Sequence, residues 1–143
     1  MKTFVISAVS IVLVSILFCP MVMAAPSMPA DLEIVRPDPS LPKELSAFFG
    51  KWEGSDTGVY TFLIVEKIDE ENASLYIFRE SGVEKGWERV KSNVIKEGGK
   101  YKLWYRYSSP YIHYTHDTVV LTLKGEFLNY DSARGSVRFK RVQ

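Results

Sequence analysis

From Gly50 onward, the chain consists of short segments rich in β-branched and aromatic residues, each followed by a turn sequence. The clearest turn is Glu97-Gly98-Gly99-Lys100, because paired glycines accept the positive φ angles of tight hairpins. No part of this region repeats its apolar residues with the 3.6-residue period of a helix. The region therefore predicts about eight or nine short strands in meander order.

A meander of this length must stack as a sandwich or close as a barrel, because a long open sheet would expose unpaired strand edges. Short turns between consecutive strands favour up-and-down closure over the long connections of a Greek key. We therefore expect an all-β fold, an antiparallel up-and-down barrel of about eight strands preceded by one short helix.

The short helix is expected over Leu41–Gly50, directly before the first strand. Ser40 is suited to cap its start, and Gly50 is suited to end it. Leu45 and Phe48 share one face at helical spacing, so the helix should pack against an apolar surface.

The amino terminus has the pattern of a secretory signal peptide. Lys2 precedes a mostly apolar run, and small residues surround Ala24. We expect cleavage after Ala24 and an extracytoplasmic location, either periplasmic or secreted. Two alternatives are lipidation of Cys19 and retention of the segment as a membrane anchor, since about 20 apolar residues span a bilayer. Bulky Phe18 argues against lipidation, and Pro20 argues against an anchor.

The composition beyond Ala24 excludes several classes of protein. It comprises 119 residues, with 17 basic and 17 acidic side chains and no cysteine. A neutral domain lacks the basic patch that nucleic-acid binding requires. Without cysteine there is no disulfide scaffold, thiolate zinc site or cysteine nucleophile. This length suits one domain with one hydrophobic core.

A Pro-rich lead separates the predicted signal peptide from the predicted barrel. Residues 25–40 contain Pro26, Pro29, Pro37 and Pro39, so this segment should be extended rather than helical. It is interpreted as a tether or a disordered tail, or alternatively as an arm that reaches a protein partner. The expected organisation is a signal peptide at 1–24, the lead at 25–40 and the barrel domain at 41–143.

The sequence Phe48-Phe49-Gly50-Lys51-Trp52-Glu53-Gly54 resembles the start of lipocalin-like, calycin-type barrels, in which a Gly-x-Trp motif opens the first strand. The resemblance implies that Trp52 seals the closed end of the barrel. It also implies that an arginine near the end of the last strand stacks over Trp52. Arg141 shares a face with the apolar residues of that strand, so we expect it, rather than Arg138, to form a desolvated cation–π pair.

The resemblance covers the first and last strands. The chain is shorter than most lipocalins, and it lacks their usual disulfide and C-terminal helix. It is more similar to the compact lipocalin-like domains of exported bacterial proteins.

A ligand site is predicted from aromatic residues on the strands. Tyr101, Leu103, Tyr105 and Tyr107 alternate onto one face of a predicted strand. Aromatic rings supply apolar area and hydroxyls supply oriented hydrogen bonds, although aromatic residues also favour strands for their own sake. The expected ligand-binding residues share ring chemistry and a predicted place near the barrel mouth: Phe62, Trp87, Tyr105, Tyr107, His113 and Tyr114.

No catalytic constellation or metal site is expected. His113 and His116 are three residues apart, and such positions on a regular strand point to opposite faces. The chain has no Gly-x-Ser-x-Gly motif and no Gly-rich phosphate loop. The carboxylates considered for glycoside cleavage have no distinguishing spacing: Glu66, Glu80, Glu84 and Glu88. We therefore expect a non-catalytic protein without a cofactor.

Three functions are compatible with these expectations. The first is an exported lipocalin-like protein that binds a small apolar or amphipathic ligand. The alternative is a protein-binding module, such as an inhibitor or accessory subunit of an exported enzyme, that uses the lead at 25–40. The third is a carbohydrate-binding module with an exposed Trp87 or Trp104. The expected partner is a small molecule or an exported protein, and membrane contact is expected only through the signal segment before cleavage.

Overall fold

The computed structural model describes residues 26–108 and 116–143. Helix α1 spans Lys43–Ser46. The strands are β1 Gly50–Asp56, β2 Val59–Ile68, β3 Asn72–Glu80, β4 Lys85–Glu97, β5 Lys100–Ser108, β6 His116–Lys124, β7 Phe127–Ser132 and β8 Gly135–Val142. Consecutive strands pair antiparallel, and β8 pairs with β1 to close the barrel. The predicted all-β, up-and-down barrel with one short helix is confirmed.

Two predicted elements differ from the structure or fall outside it. The helix is shorter than predicted, because Pro42 is its N-cap and Gly50 is already the first residue of β1, with φ at 120°. The strand considered at Tyr111–Thr115 lies outside the described residues. Over 26–108 and 116–143, no helix combines the length and apolar character needed to cross a membrane.

The lower part of the barrel is filled with side chains. Inward-facing positions alternate along each strand, and the largest group of buried apolar residues collects there. Eight of its members on β2 to β7 are 0% exposed: Leu63, Val65, Leu75, Ile77, Leu103, Val119, Leu121 and Leu128. Each such side chain contributes about 1.5–3 kcal/mol relative to an exposed one. This part of the barrel is therefore a packed core rather than a channel.

Helix α1 and the first strand close the lower end. Leu45 and Phe48 are 0% and 1% exposed, and Trp52 is 1% exposed. The indole Nε1 of Trp52 donates a hydrogen bond to the carbonyl oxygen of Phe48 at 2.9 Å. A buried indole N–H needs such a partner, so this bond fixes the helix against the ring.

Arg141 covers the outer side of the Trp52 ring. Its guanidinium carbon lies 4.1 Å from the ring centroid. The guanidinium also donates to the carbonyl oxygens of Phe49 at 2.7 Å and Ala47 at 2.6 Å. Arg141 as a residue is exposed, but partial burial still lowers the pKa of its guanidinium, so the stacked pair is only partly desolvated. Its hydrogen bonds satisfy carbonyl groups at the end of α1, which explains its orientation.

A β-bulge at Glu66 interrupts the pairing of β2 with β3. The register shifts between Val65 and Lys67. With strict alternation the Lys67 side chain would point into the core. The extra residue instead places Glu66 and Lys67 both on the outside. Ile68 then points into the interior, where it is 4% exposed. The carbonyl oxygen of Glu66 accepts a hydrogen bond from the Val35 N–H at 2.9 Å.

Residues 26–36, which we call the arm, lie along the outer face of β2, β3 and β4. The Glu66 carboxylate, on a residue that is 5% exposed, accepts bonds from the Glu33 N–H at 2.9 Å and the Ser74 hydroxyl at 2.8 Å. Arg89 pairs with the same carboxylate at 3.1 Å and with Asp31 at 3.3 Å. The described part of the Pro-rich lead is therefore held against its own barrel.

Arm attachment should weaken in acid. Burial alone would raise the pKa of Glu66, but bonds from the Glu33 N–H, Ser74 and Arg89 outweigh burial and lower it below 4.5. The hydrogen bond from Tyr76 is the largest cause that lowers the pKa of Asp31. A lowered pKa stabilises the folded form above the ordinary value, and this contribution is lost as pH falls through the folded-state pKa.

We expect an NMR titration from about pH 6 to about pH 2 to show the Glu33 amide leaving its hydrogen-bonded position before the barrel unfolds. In a Glu66→Gln variant the Glu33 amide should lose most of this pH dependence, because the carboxamide that replaces the carboxylate does not titrate and of the two carboxylates only Asp31 still responds. An identical titration in both proteins would show that the Glu66 carboxylate does not hold the arm.

Candidate functional site

A cavity of about 720 Å³ lies at the end of the barrel opposite Trp52. Its wall includes the β1–β2 turn, the β3–β4 turn and the β7–β8 turn, together with the inner faces of the adjoining strands. The apolar part of the lining consists of Val59, Val83, Val137, Phe139 and the rings of Tyr107 and Tyr130. We call this cavity and its lining the mouth. The link from β5 to β6, residues 109–115, lies outside the described residues.

A buried arginine forms part of the mouth wall. The side chain of Arg79 is 10% exposed, and its guanidinium lies 3.0 Å from the Glu88 carboxylate. It donates to the Tyr130 hydroxyl at 3.4 Å and stacks 4.1 Å from the Tyr107 ring centroid. Burial opposes the charge of Arg79, but the interactions with Tyr105, Tyr130 and Tyr107 outweigh burial and raise its pKa further. The mouth therefore holds a permanent cation with a single close carboxylate partner among the described residues.

Tyrosine hydroxyls make polar contacts in the mouth lining and, for Tyr105, next to it. The Tyr105 hydroxyl lies 3.5 Å from that of Tyr130, and the Tyr107 hydroxyl donates to Glu84 at 3.4 Å. Burial is the main cause that raises the pKa of Tyr105 well above 10, followed by its contact with Tyr130. Tyr105 is therefore a neutral hydroxyl at physiological pH, and it can donate or accept a hydrogen bond.

Asp117 supports the β7–β8 turn from the mouth wall. It is 5% exposed, and its carboxylate accepts the Ala133 N–H at 3.0 Å. In the sequence Asp117 follows His113 and His116, but His113 lies outside the described residues. Among the described residues, no three His, Cys, Asp or Glu side chains are grouped so that they could hold a metal ion.

The structure separates the predicted ligand-binding residues into three groups. Tyr105 and Tyr107 face the interior near the mouth. His113 and Tyr114 lie outside the described residues. Phe62 and Trp87 lie on the outer face of the barrel, and this corrects the expectation that they line its mouth.

The register explains the positions of Phe62 and Trp87. Both are aligned with Phe78, Phe62 through the β2–β3 register and Trp87 through the β3–β4 register. This row alternates with the inward row that contains Thr61 and Arg79, so its side chains must point outward. Trp87 lies 6.2 Å from Phe62 and 5.3 Å from Phe78 between ring centroids.

Two residues of the mouth, Arg79 and Tyr130, are not predicted from the sequence. Arg79 follows Leu75 and Ile77 at intervals of two on β3, so it shares their face, but Tyr76 and Phe78 make the opposite face equally apolar. Tyr130 stands at the same interval from Leu128 on β7. Both positions could be inferred once the inward face of each strand was known.

No family model, curated protein or solved structure matches this chain. The likeness to lipocalins therefore rests on the Gly-x-Trp sequence and on the architecture. The eight antiparallel strands in closed sequential order are consistent with a calycin-like barrel.

Proposed function

We propose that this chain is an exported, non-catalytic barrel that binds one small amphipathic molecule in the mouth. The observation that carries the proposal is the cavity of about 720 Å³ with the buried Arg79 in its wall. Ligand sites usually measure about 300–1,000 Å³ and combine an apolar lining with a few oriented polar groups. Export is part of the proposal and is supported by the signal-peptide pattern of residues 1–24.

The lining suggests how such a ligand is oriented. Its apolar part packs against Val137 and Phe139, which lie on β8. Its polar part is a hydrogen-bond acceptor directed at Arg79, whose guanidinium carries five N–H donors. Glu88 and Tyr130 are the acceptors that the described residues offer to Arg79. A carboxylate, carbonyl or hydroxyl on the ligand would provide a further acceptor for the Arg79 guanidinium.

The packed core limits the length of the ligand. Leu63, Leu103 and Leu121 are each 0% exposed below the mouth. A long alkyl chain therefore has no path toward Trp52, and the ligand must be short or ring-shaped. The alternative function, a protein-binding module, needs the lead at 25–40 to reach a partner. The described arm is engaged by its own barrel, and this favours the cavity as the functional site.

A bulky substitution in the mouth should block binding. We expect Val137→Trp to weaken binding of an amphipathic dye, anilinonaphthalene sulfonate, at least about tenfold, which corresponds to about 1.4 kcal/mol. The physical reason is that Val137 lines the cavity, so an indole there would occupy the ligand volume. The measurement is a fluorescence titration of chains that begin at Ala25.

The matched control is Ile95→Trp, because Ile95 is 37% exposed and lies on β4 away from the mouth. It should bind the dye within about twofold of the unaltered chain. Thermal unfolding must show that both variants are folded. Equal dye affinity in the Val137→Trp variant and the unaltered chain would place the binding site elsewhere.

Removing the guanidinium should cost affinity for an anionic ligand. We expect Arg79→Met to weaken binding of the same sulfonate dye by about tenfold or more, because hydrogen bonds to charged groups contribute about 1.5–3 kcal/mol. The control is Arg106→Met, which removes an exposed arginine of β5. Unchanged affinity in the Arg79→Met variant would contradict the assigned role of Arg79.

A further inference from the structure

The outer face of the barrel carries a second apolar cluster, which we call the aromatic patch. It consists of Phe62, Ile64, Tyr76, Phe78 and Trp87. The first four are only 0–5% exposed, although they point away from the core. They are covered by other apolar side chains on the outside of the barrel, and one of these is Leu32 of the arm. The aromatic patch therefore depends partly on the arm for its cover.

Polar contacts also hold the arm in register on the aromatic patch. The Trp87 indole donates to the carbonyl oxygen of Ser27 at 3.0 Å. Arg89 donates to the carbonyl oxygen of Asp31 at 2.9 Å. The Asp31 carboxylate accepts the Tyr76 hydroxyl at 2.5 Å. Together with the two bonds to Glu66, these contacts recognise the arm through its main chain and one carboxylate.

The arm is joined to the barrel in a way that allows it to leave. It contains no helix or strand, and the spacer at 37–42 includes Pro37, Pro39 and Pro42. A turn in this spacer is closed by the bond from the Leu41 N–H to the Asp38 carbonyl oxygen at 3.0 Å, and once this turn opens the six residues can span about 20 Å. A segment without secondary structure, attached by a few exposed and part-buried hydrogen bonds, opens at a lower free-energy cost than the closed barrel.

Departure of the arm would expose the aromatic patch and leave the buried Glu66 without the Glu33 and Val35 amides. A second copy of this chain carries the groups that restore every one of these contacts. We propose that the arm exchanges between two copies, so that each aromatic patch is covered by residues 26–36 of the other chain. Exchange of an identical segment costs little, because the contacts are the same in both forms.

Charge reversal across the arm contact tests the exchange. Asp31→Arg places a cation against Arg89, and Arg89→Asp places an anion against Asp31 and Glu66. Each variant disfavours its own arm, but a mixture of the two offers an opposite charge to both arms. We expect native mass spectrometry of the mixture to show a 1:1 heterodimer, which differs in mass from both homodimers. Its dissociation constant should be at least about tenfold lower than that of either variant alone.

The matched control is the double variant, Asp31→Arg with Arg89→Asp, which restores the charge pair within one chain and should dimerise no more than the unaltered protein. Circular dichroism checks that both single variants are folded. If both are folded and their mixture remains monomeric, the exchange is refuted.

A second measurement does not depend on the variants. The unaltered chain, mixed in isotope-labelled and unlabelled forms at high concentration, should give mixed dimers, and the Asp31→Arg variant alone should form fewer. Dimers that persist unchanged in the Asp31→Arg variant would also refute the exchange, since they would use another surface. So would an unaltered chain that remains monomeric at every concentration tested.

Discussion

Replacing Trp52 with alanine should lower the free energy of unfolding by about 3–5 kcal/mol, which is the usual cost of removing a fully buried aromatic side chain. Trp52 is 1% exposed and occupies the closed end of the barrel. Its loss would leave a cavity beneath α1 and remove the hydrogen bond to Phe48. It would also remove the ring on which Arg141 stacks. Urea denaturation followed by circular dichroism measures the change.

The matched control is Trp104→Ala. Trp104 is half-buried on β5, and its register partners, Asn93 and Val120, place it on the outer face. Its replacement should cost clearly less than that of Trp52, because a partly exposed side chain buries less area. Equal losses in the two variants would mean that Trp52 does not seal the barrel.

Replacing Gly54 with valine should destabilise the barrel by at least about 1–3 kcal/mol, the usual cost of overpacking a filled core. A Cβ atom at Gly54 would lie 2.0 Å from Cδ1 of Phe139. Phe139 is 1% exposed and stacks on Tyr130, with 5.6 Å between ring centroids, so the ring has little room to move. The same urea titration measures the loss.

Gly86 provides the matched control for Gly54. It also lies within a strand, but a Cβ atom there would have no neighbour within 4 Å. Gly86→Val should therefore leave stability unchanged or increase it slightly, since valine favours strands. If the Gly54→Val and Gly86→Val variants unfolded at the same urea concentration, the contact with Phe139 would not be the cause of the lost stability.

The topology was predictable because turn sequences and strand order are local properties of the chain. Gly98-Gly99 and the other short turns bring consecutive strands side by side so that they pair, and closure follows from the unpaired edges. The end of the helix was not predictable from Gly50 alone. Glycine is needed at position 50 because the chain has a positive φ there, at the start of β1. A Cβ atom at Gly50 would also lie 2.7 Å from the guanidinium of Arg141.

The positions of Phe62 and Trp87 could not be derived from alternation alone. On β2 and β3 both faces are apolar, so alternation does not show which face is the core. The outer face is apolar because it forms the aromatic patch beneath Leu32, more than 25 residues earlier in the chain. A contact over that separation leaves no local pattern. The bulge at Glu66 was not predictable for the same reason, because the carboxylate and carbonyl oxygens of Glu66 bind the distant arm.

The mouth was only partly predictable. Tyr105 and Tyr107 were expected to line a ligand site, and they do face the cavity end of the barrel. Arg79 was not expected, because a charged residue after an apolar run usually marks the exposed end of a strand. Arg79 can be buried here because the Glu88 carboxylate compensates its charge and the Tyr107 ring stacks against its guanidinium.

The most direct test of ligand binding is native mass spectrometry of the protein after export, purified gently from its own compartment. We expect one discrete added mass on the chain, lost on partial unfolding and missing from the Val137→Trp variant. A bare chain mass in the unaltered protein, or an added mass that survives in the Val137→Trp variant, would contradict a ligand site in the mouth.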